Sequence, residues 1–243
     1  MAIVRVDLSY DGSGFRGFAR QGGQRTVQGE LETALATVLG EKVTTVGAGR
    51  TDAGVHARHQ VASFEYGGEL DPAQALRRLN GLLGPEIVVV ALAEVPAGFS
   101  ARFSAKWRRY RYFLDPSSRP DPLTRGWVWH FGRPLDLEAM ARAAAGFVGE
   151  HDFTSFCRSA PGRGNIRTVL SAGWMEEGKV LAFDVKAEAF CHQMVRSMVG
   201  FCVAAGTGKI DPDRLEAVLT ARDRNAAPEI APPHGLTLWD VGY

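Results

Sequence analysis

Cysteine is scarce in this chain of 243 residues, which contains only Cys157, Cys191 and Cys202. The three are odd in number, far apart and without a CxxC pair, so neither a disulfide framework nor a cysteine zinc site is expected. Reduced core thiols are the expectation.

Long apolar runs are also missing, because no stretch approaches the roughly 20 residues that span a bilayer. The start, MAIVRVDLSY, lacks the regions of a signal peptide, which favours a cytoplasmic protein.

Strong net charge is absent too, since the chain carries a formal charge of +1. Bulk charge therefore does not indicate a nucleic-acid partner, but its distribution is uneven. Residues 99–114 and 153–169 contain no acidic residue. Such stretches are candidates for phosphate contacts, and their basic residues are Arg102, Lys106, Arg108, Arg109 and Arg111 in the first and Arg158, Arg163 and Arg167 in the second.

The hydrophobic pattern predicts alternating strands and helices in each half of the chain. Residues 3–10 alternate like a strand, Thr26 and Gly40 bound an amphipathic helix, and Asp71-Pro72 opens a second helix. Further strands are predicted at 43–46, 60–66, 87–95, 106–114, 127–131, 169–175, 180–187 and 236–241, and further helices at 137–147, 194–205 and 212–220.

This order is roughly β-α-β-β-α-β in each half. It predicts an α+β fold of two ferredoxin-like units that share a mostly antiparallel sheet with flanking helices. We place the N-terminal unit at residues 1–100 and the C-terminal unit at residues 101–243. The N-terminal unit would then contain the glycine-rich loop described next.

The segment with most chemical content is GAGRTDAGVHA, residues 47–57. Its three glycines permit positive φ angles and a close approach by another chain, and they surround Arg50, Thr51 and Asp52. A tight structural turn is one interpretation. A phosphate-binding loop is disfavoured because no lysine follows the last glycine and an acid lies inside the loop, and the spacing is not that of a dinucleotide fingerprint.

His56 and His59 lie close together in sequence and raise the question of a metal site. A zinc site usually needs three or four ligands, and no third candidate lies nearby. No metal is therefore expected, and His56 is expected to support the loop.

The loop sequence is similar to the catalytic signature of the tRNA pseudouridine synthase A (TruA) family. The similarity extends along nearly the whole chain and in the family's order. Its blocks are YDG at 10–12, RTVQGEL at 25–31, RFSA at 102–105, RYRY at 109–112, HDFTSF at 151–156, MVR at 194–196, and APP with GL at 231–236.

This resemblance implies a function and a set of site residues. The family isomerises uridine to pseudouridine in the anticodon stem-loop, at tRNA positions 38, 39 and 40, as a homodimer without a cofactor. By position, Asp52 would be the nucleophile, Arg196 would pair with its carboxylate, and Arg50 would help to handle the flipped nucleotide. Tyr110 would stack on the target uracil.

Alternatives remain open for two of these residues on residue reasoning alone. Arg196 could be an exposed helical arginine, and Tyr110 could belong to a core face of its strand. For the whole chain, the rival class is a non-catalytic RNA-binding protein that stacks bases on sheet aromatics.

The chain also departs from the family pattern in three places. Phe18-Ala19 stands where Trp-Gln is usual, Pro228-Glu229 is a second departure, and the segment at residues 159–165 looks short. None of these departures lies in the signature.

Overall fold

The computed structural model describes residues 1–158 and 164–243 of the chain. These residues form ten β-strands and five α-helices. The predicted α+β class is confirmed. Backbone contacts divide the described residues into two compact units, the first made of residues 1–106 and 237–243 and the second of residues 107–236. Within the described ranges, no helix has both the length and the apolarity needed to cross a bilayer.

The first unit follows the β-α-β-β-α-β order of a ferredoxin-like unit. Its elements are β1 (Ala2–Tyr10), α1 (Val27–Leu39), β2 (Val46–Gly47), β3 (His56–Tyr66), α2 (Pro72–Leu83) and β4 (Ile87–Val95). Strand β1 is antiparallel to both β3 and β4, and β2 is antiparallel to β3. The loop at residues 47–57 therefore connects two paired strands of one sheet.

Local sequence explains the boundaries of these elements. In β1, Val4, Val6 and Leu8 are fully buried, as the alternation predicts. Helix α1 begins where the Thr26 hydroxyl accepts a hydrogen bond from Gly29 N and ends at Gly40, whose φ of 78° closes the helix.

The second unit is built on an antiparallel meander. Its elements are β5 (Trp107–Asp115), β6 (Trp129–His130), α3 (Leu137–Ala145), β7 (Gly149–Asp152), β8 (Ile166–Glu177), β9 (Val180–Ala187), α4 (Met194–Gly206) and α5 (Leu215–Ala221). The strand order is β5-β9-β8-β7, with the short β6 parallel to β5. Strand β7 is not among the predicted elements, and the strand predicted at 127–131 is reduced to two residues.

The last strand, β10 (Leu236–Gly242), belongs mainly to the first unit, although it was grouped with the second half of the sequence. It pairs in parallel with β3, with Thr237 opposite His56 and Leu238 opposite Ala57. Hydrophobic patterns cannot reveal such a return, because they identify a strand but not its neighbour.

The expectation of three reduced thiols is wrong for two of the cysteines. Cys157 and Cys191 form a disulfide, with Cα atoms 5.8 Å apart. Arg158 N donates a hydrogen bond to His192 O at 3.0 Å, so the two segments lie side by side. The sequence separation of 34 residues conceals this proximity. Cys202 is a buried free thiol as expected, and burial raises its pKa to about 12.

Candidate active site

Asp52 lies at the start of a tight turn in the loop between β2 and β3. Val55 N donates to Asp52 O at 3.2 Å, and Gly54 has a φ of 78°. A hydrogen bond of this kind with a positive φ at the third residue is typical of a type II β-turn, which requires glycine there. The loop thus bends directly after Asp52, whose side chain is partly exposed.

A segment that follows β1 braces this loop through its backbone. Phe18 N donates to Thr51 O at 3.1 Å. Gly17 has a φ of 95°, and a Cβ added there would lie 2.8 Å from Thr51 O. A Cβ at Gly12 would overlap the carbonyl of Val55. These two glycines are therefore required for the close approach of the two segments.

Phe18 is one of the residues at which the chain departs from the family pattern, and in the sequence it lies outside the signature. In the structure it contacts the signature loop directly. Its side chain is 2% exposed, and its ring lies where a Cβ at Gly47 would be. It also stacks on Tyr10, with ring centroids 6.3 Å apart. The phenylalanine therefore contributes to the packing under the loop.

A buried polar cluster lies beneath the same loop. The hydroxyls of Tyr10 and Thr51 are 2.8 Å apart and hydrogen bonded, and Gln60 Nε2 donates to Gly49 O at 2.9 Å. Burial raises the pKa of Tyr10 to about 12, although hydrogen bonds with Thr51 and Gln60 act in the opposite direction. The tyrosine is therefore neutral over the physiological range.

The two neighbouring histidines have different partners. Gly12 N and an Asp11 carboxylate oxygen both lie 3.1 Å from His56 Nδ1, which accepts from the first when neutral and donates to the second when protonated. His59 lies between Asp7 and Asp240, at 2.8 and 2.6 Å. Among the described residues, no group of three or more His, Cys, Asp or Glu side chains is arranged to hold a metal ion.

Arg50 is exposed and lies between two restrained residues of the loop. The Gly49 carbonyl before it is held by Gln60, and the Thr51 carbonyl after it is held by Phe18 N. Its backbone is therefore fixed, while its side chain is exposed two positions before Asp52 in the chain.

Tyr110 lies in β5 of the second unit and is only 7% exposed. It pairs with Val185 of β9, and its ring meets the Phe190 ring edge-on at a centroid distance of 5.0 Å. On the same face of β5, Tyr112 and Leu114 are fully buried. This face is therefore mainly core, with Tyr110 at its less enclosed end.

Arg196 lies in the first turn of α4, where all other residues of the helix are buried. Its Nε donates to Ala231 O at 2.8 Å, and its own carbonyl accepts from Ala231 N at 3.2 Å. A Cβ at Gly200 would overlap the Glu229 carbonyl. The segment before β10 is thus packed tightly against α4, and this packing orients the guanidinium of Arg196.

Part of the positive charge predicted to contact phosphate is neutralised within the second unit. Arg109 and Arg111 both pair with Asp184 of β9, at 2.8 and 2.7 Å, and Arg111 also pairs with Glu177 at 2.7 Å. The acids lie on neighbouring strands, so a count along β5 misses them. Arg163 of the other basic stretch, and residues 159–163 of the segment that looked short, lie outside the described residues.

An α+β scaffold that presents an aspartate in an arginine-containing glycine loop is the arrangement of a pseudouridine synthase. A sequence model of the family described as tRNA pseudouridine synthase matches residues 8–104 and 143–243. The chain therefore belongs to the tRNA pseudouridine synthase family, whose members are isomerases.

Curated relatives support this assignment over nearly the full length. The chain is 48% identical to the tRNA pseudouridine synthase A of Streptomyces griseus, over 99% of this chain and 87% of that one. It is 40% identical to the protein of the same name from Bacillus subtilis, over 99% and 98% of the two chains. The corresponding protein of Moorella thermoacetica is 42% identical over the whole of both chains.

Of the residues selected from the sequence, Asp52 and Arg50 lie in the first unit and Tyr110 and Arg196 in the second. Sequence reasoning missed the contribution of Tyr10 and Gln60. A signal for both was present, because Tyr10 ends the inward series of β1 and Gln60 shares its face of β3 with Ala62, Phe64 and Tyr66.

Proposed function

We propose that this chain converts uridine to pseudouridine in the anticodon stem-loop of tRNA, with Asp52 as the nucleophile. The family resemblance implies tRNA positions 38, 39 and 40 as the targets. The observation that carries the proposal is the loop itself. Asp52 is partly exposed at a glycine turn. The residue directly before it, Thr51, is held in place because its carbonyl accepts a hydrogen bond from Phe18 N at 3.1 Å.

The chemistry suits a carboxylate. The bond between ribose C1′ and uracil N1 breaks, the ring turns, and a bond forms between C1′ and C5. N1 gains a proton and C5 loses one, so no redox step occurs and no group is imported. An ordinary aspartate has a pKa of about 3.9 and is therefore an ionised nucleophile at neutral pH. We accordingly propose that catalysis needs no cofactor and no metal.

The other three site residues have supporting roles in this proposal. A uracil within the stem-loop must be extruded, at a cost of a few kcal/mol, before Asp52 reaches it. Tyr110 would offset part of this cost by stacking on the base. Arg196 would pair with the Asp52 carboxylate and fix its orientation. Arg50, which is exposed and two positions before Asp52 in the chain, would contact the flipped nucleotide.

We further propose that the chain acts as a homodimer in the cytoplasm. The family resemblance supports the dimer, and a tRNA substrate supports the location. Analytical ultracentrifugation at micromolar concentration tests the first, and it should give a mass of about twice 26.3 kDa.

Position-resolved mapping of pseudouridine tests the proposed function. Unmodified tRNA transcripts with uridine at position 38, 39 or 40 are incubated with the purified chain, and pseudouridine is mapped by chemical labelling and primer extension. Modification confined to these positions is expected. Pseudouridine only elsewhere in tRNA would refute the site assignment, and its absence from every tRNA tested would refute the proposed activity.

A further inference from the structure

We propose that Tyr10, Thr51 and Gln60 form a buried positioning network that fixes the backbone on which Asp52 is carried. The Tyr10 hydroxyl is the centre of this network. The inference rests on Asp52 being the nucleophile, as proposed above. None of the three side chains is assigned a chemical step, because they act through the loop.

The burial of these groups shows that the network is built into the core. Gln60 is 0% exposed, Tyr10 5% and Thr51 7%. Burying polar side chains is costly unless each is hydrogen bonded. Tyr10 continues the inward series of Val4, Val6 and Leu8, positions at which an apolar residue would suffice for packing.

The hydrogen bonds converge on the residues that precede Asp52. The Tyr10 hydroxyl holds the Thr51 side chain at 2.8 Å, and Gln60 Nε2 holds the Gly49 carbonyl at 2.9 Å. Gln60 is itself fixed, because its Oε1 accepts from Val61 N at 3.2 Å. The network therefore restrains the chain on both sides of Arg50 and immediately before Asp52.

The loop needs such restraint because of its composition. Gly47, Gly49 and Gly54 give the backbone more freedom than other residues would. Nucleophilic attack requires placement to within about 0.5 Å, and a displacement of about 1 Å costs on the order of 100-fold in rate. With a pKa of about 12, Tyr10 keeps its hydroxyl hydrogen across the working range of pH, so the network does not change with pH.

The test begins with Tyr10→Phe, which removes one oxygen and keeps the ring that stacks on Phe18. We expect kcat for tritium release from tRNA with 5-tritiated uridine to fall about 10- to 100-fold. KM and the Kd for tRNA should remain within about twofold, because the network contacts the loop from inside the protein. The matched control is Tyr66→Phe, another buried tyrosine, at the opposite end of β3 from the loop. It should retain wild-type kcat.

Thr51 provides a second and independent variant pair. Thr51→Ser keeps the hydroxyl and should stay close to wild type, whereas Thr51→Val should resemble Tyr10→Phe. The double variant Tyr10→Phe/Thr51→Val should be little slower than either single one, because both remove the same hydrogen bond. If Tyr10→Phe does not fold, the comparison of folded Thr51→Ser and Thr51→Val decides the question.

Several outcomes would overturn the inference. These are wild-type kcat in folded Tyr10→Phe or Thr51→Val, an equal loss in Tyr66→Phe, or a loss confined to KM. Failure of the nucleophile proposal is distinguishable, because it would appear as turnover by Asp52→Asn. An inactive Asp52→Asn together with a fully active Tyr10→Phe would overturn the positioning network alone.

Discussion

Tyr110 has the burial of a core residue, and its contact with the target uracil stays a prediction. It is 7% exposed and lies at the end of a core face, as the structural interpretation required. Its ring meets the Phe190 ring edge-on, with ring centroids 5.0 Å apart. Because the residue is only 7% exposed, stacking on a flipped uracil would require one face of the Tyr110 ring to become accessible.

We predict that Tyr110→Ala lowers turnover about 100-fold or more but changes tRNA affinity only a few-fold. The ring would contact one flipped base, whereas phosphate contacts supply most of the affinity for nucleic acid. Tyr110→Phe should stay much closer to wild type, because it keeps the stacking surface. Turnover and filter-binding affinity are measured side by side, with circular dichroism as the folding control. Wild-type turnover by folded Tyr110→Ala would show that the ring does not serve the substrate.

At the residue scale, the sequence alone proposes Asp52 and Arg50 as site residues, because their chemistry lies within eleven contiguous residues. It does not indicate the residues that support their loop. Tyr10, Phe18 and Gln60 come from separate segments, and only the paired strands and the bracing loop bring them under Asp52. The Cys157–Cys191 disulfide was missed for the same reason.

At the element scale, capping residues and alternation predicted most boundaries. Strand β4 occupies the predicted residues, and helix α2 begins as predicted at Asp71-Pro72, which is a strong local signal for a helix start. Strand β7 was missed, because GEHD has no apolar alternation and is a strand through its pairing with β8. Pairing is a tertiary property, which local patterns do not contain.

We predict that the segment between β1 and α1 holds the loop of Asp52 in position. Two glycines of this segment, Gly17 and Gly23, allow a test with a matched control. Gly17 and Gly23 both have positive φ, but only at Gly17 would a Cβ meet the loop. Replacing either by Ala should cost about 1–2 kcal/mol of backbone strain. Only Gly17→Ala should also lower turnover, by at least about tenfold, because its Cβ displaces Thr51. Thermal melting and turnover are measured for both, and equal turnover in the two variants would contradict the bracing role.

His59 links three strands through hydrogen bonds to Asp7 of β1 and Asp240 of β10. The bond to Asp7, and then the bond to Asp240, hold the pKa of His59 above its usual 6.5, although burial opposes the shift. Burial alone would raise the pKa of Asp7, but its bonds with His59 and Arg5 outweigh this and lower it. The cluster is therefore strongest with His59 protonated and Asp7 ionised.

This cluster gives the stability of the chain a defined pH dependence. A histidine with a raised folded-state pKa stabilises the fold fully below its unfolded value, and this contribution is lost as pH rises through the folded value. At about pH 5.5 we expect His59→Gln to lower Tm by about 2–4 °C, which corresponds to roughly 1 kcal/mol for a partly exposed pair in a chain of this size. The deficit should shrink toward about pH 9. A deficit independent of pH would show that the charge on His59 is not its source.

At the scale of the whole molecule, Asp52 and Arg50 lie in one compact unit and Tyr110 and Arg196 lie in the other. Element order predicted two halves of the chain. It did not predict that the last strand returns to pair with β3 and so ends in the unit that carries Asp52. The family resemblance is what links the four residues in one proposed site.

Independence from metal is a prediction about the whole reaction. The proposed steps need a carboxylate, a stacked base and arginines, and the two histidines near the loop have protein partners. Turnover in the presence of excess chelator should therefore equal that in its absence, provided that monovalent salt keeps the tRNA folded. A large loss that zinc restores, with the tRNA fold verified by melting, would contradict the prediction.

The most direct test of the central claim is the pseudouridine yield of Asp52→Asn beside that of the wild type. The substitution keeps size and shape but removes the negative charge and the nucleophile, so yield should fall by many powers of ten. Circular dichroism and tRNA affinity should remain nearly unchanged, because Asn fits the space of Asp and the hydrogen bonds from Tyr10, Gln60 and Phe18 to the loop are kept. Mass spectrometry must first exclude deamidation back to Asp. A near-normal yield from folded Asp52→Asn would contradict the account.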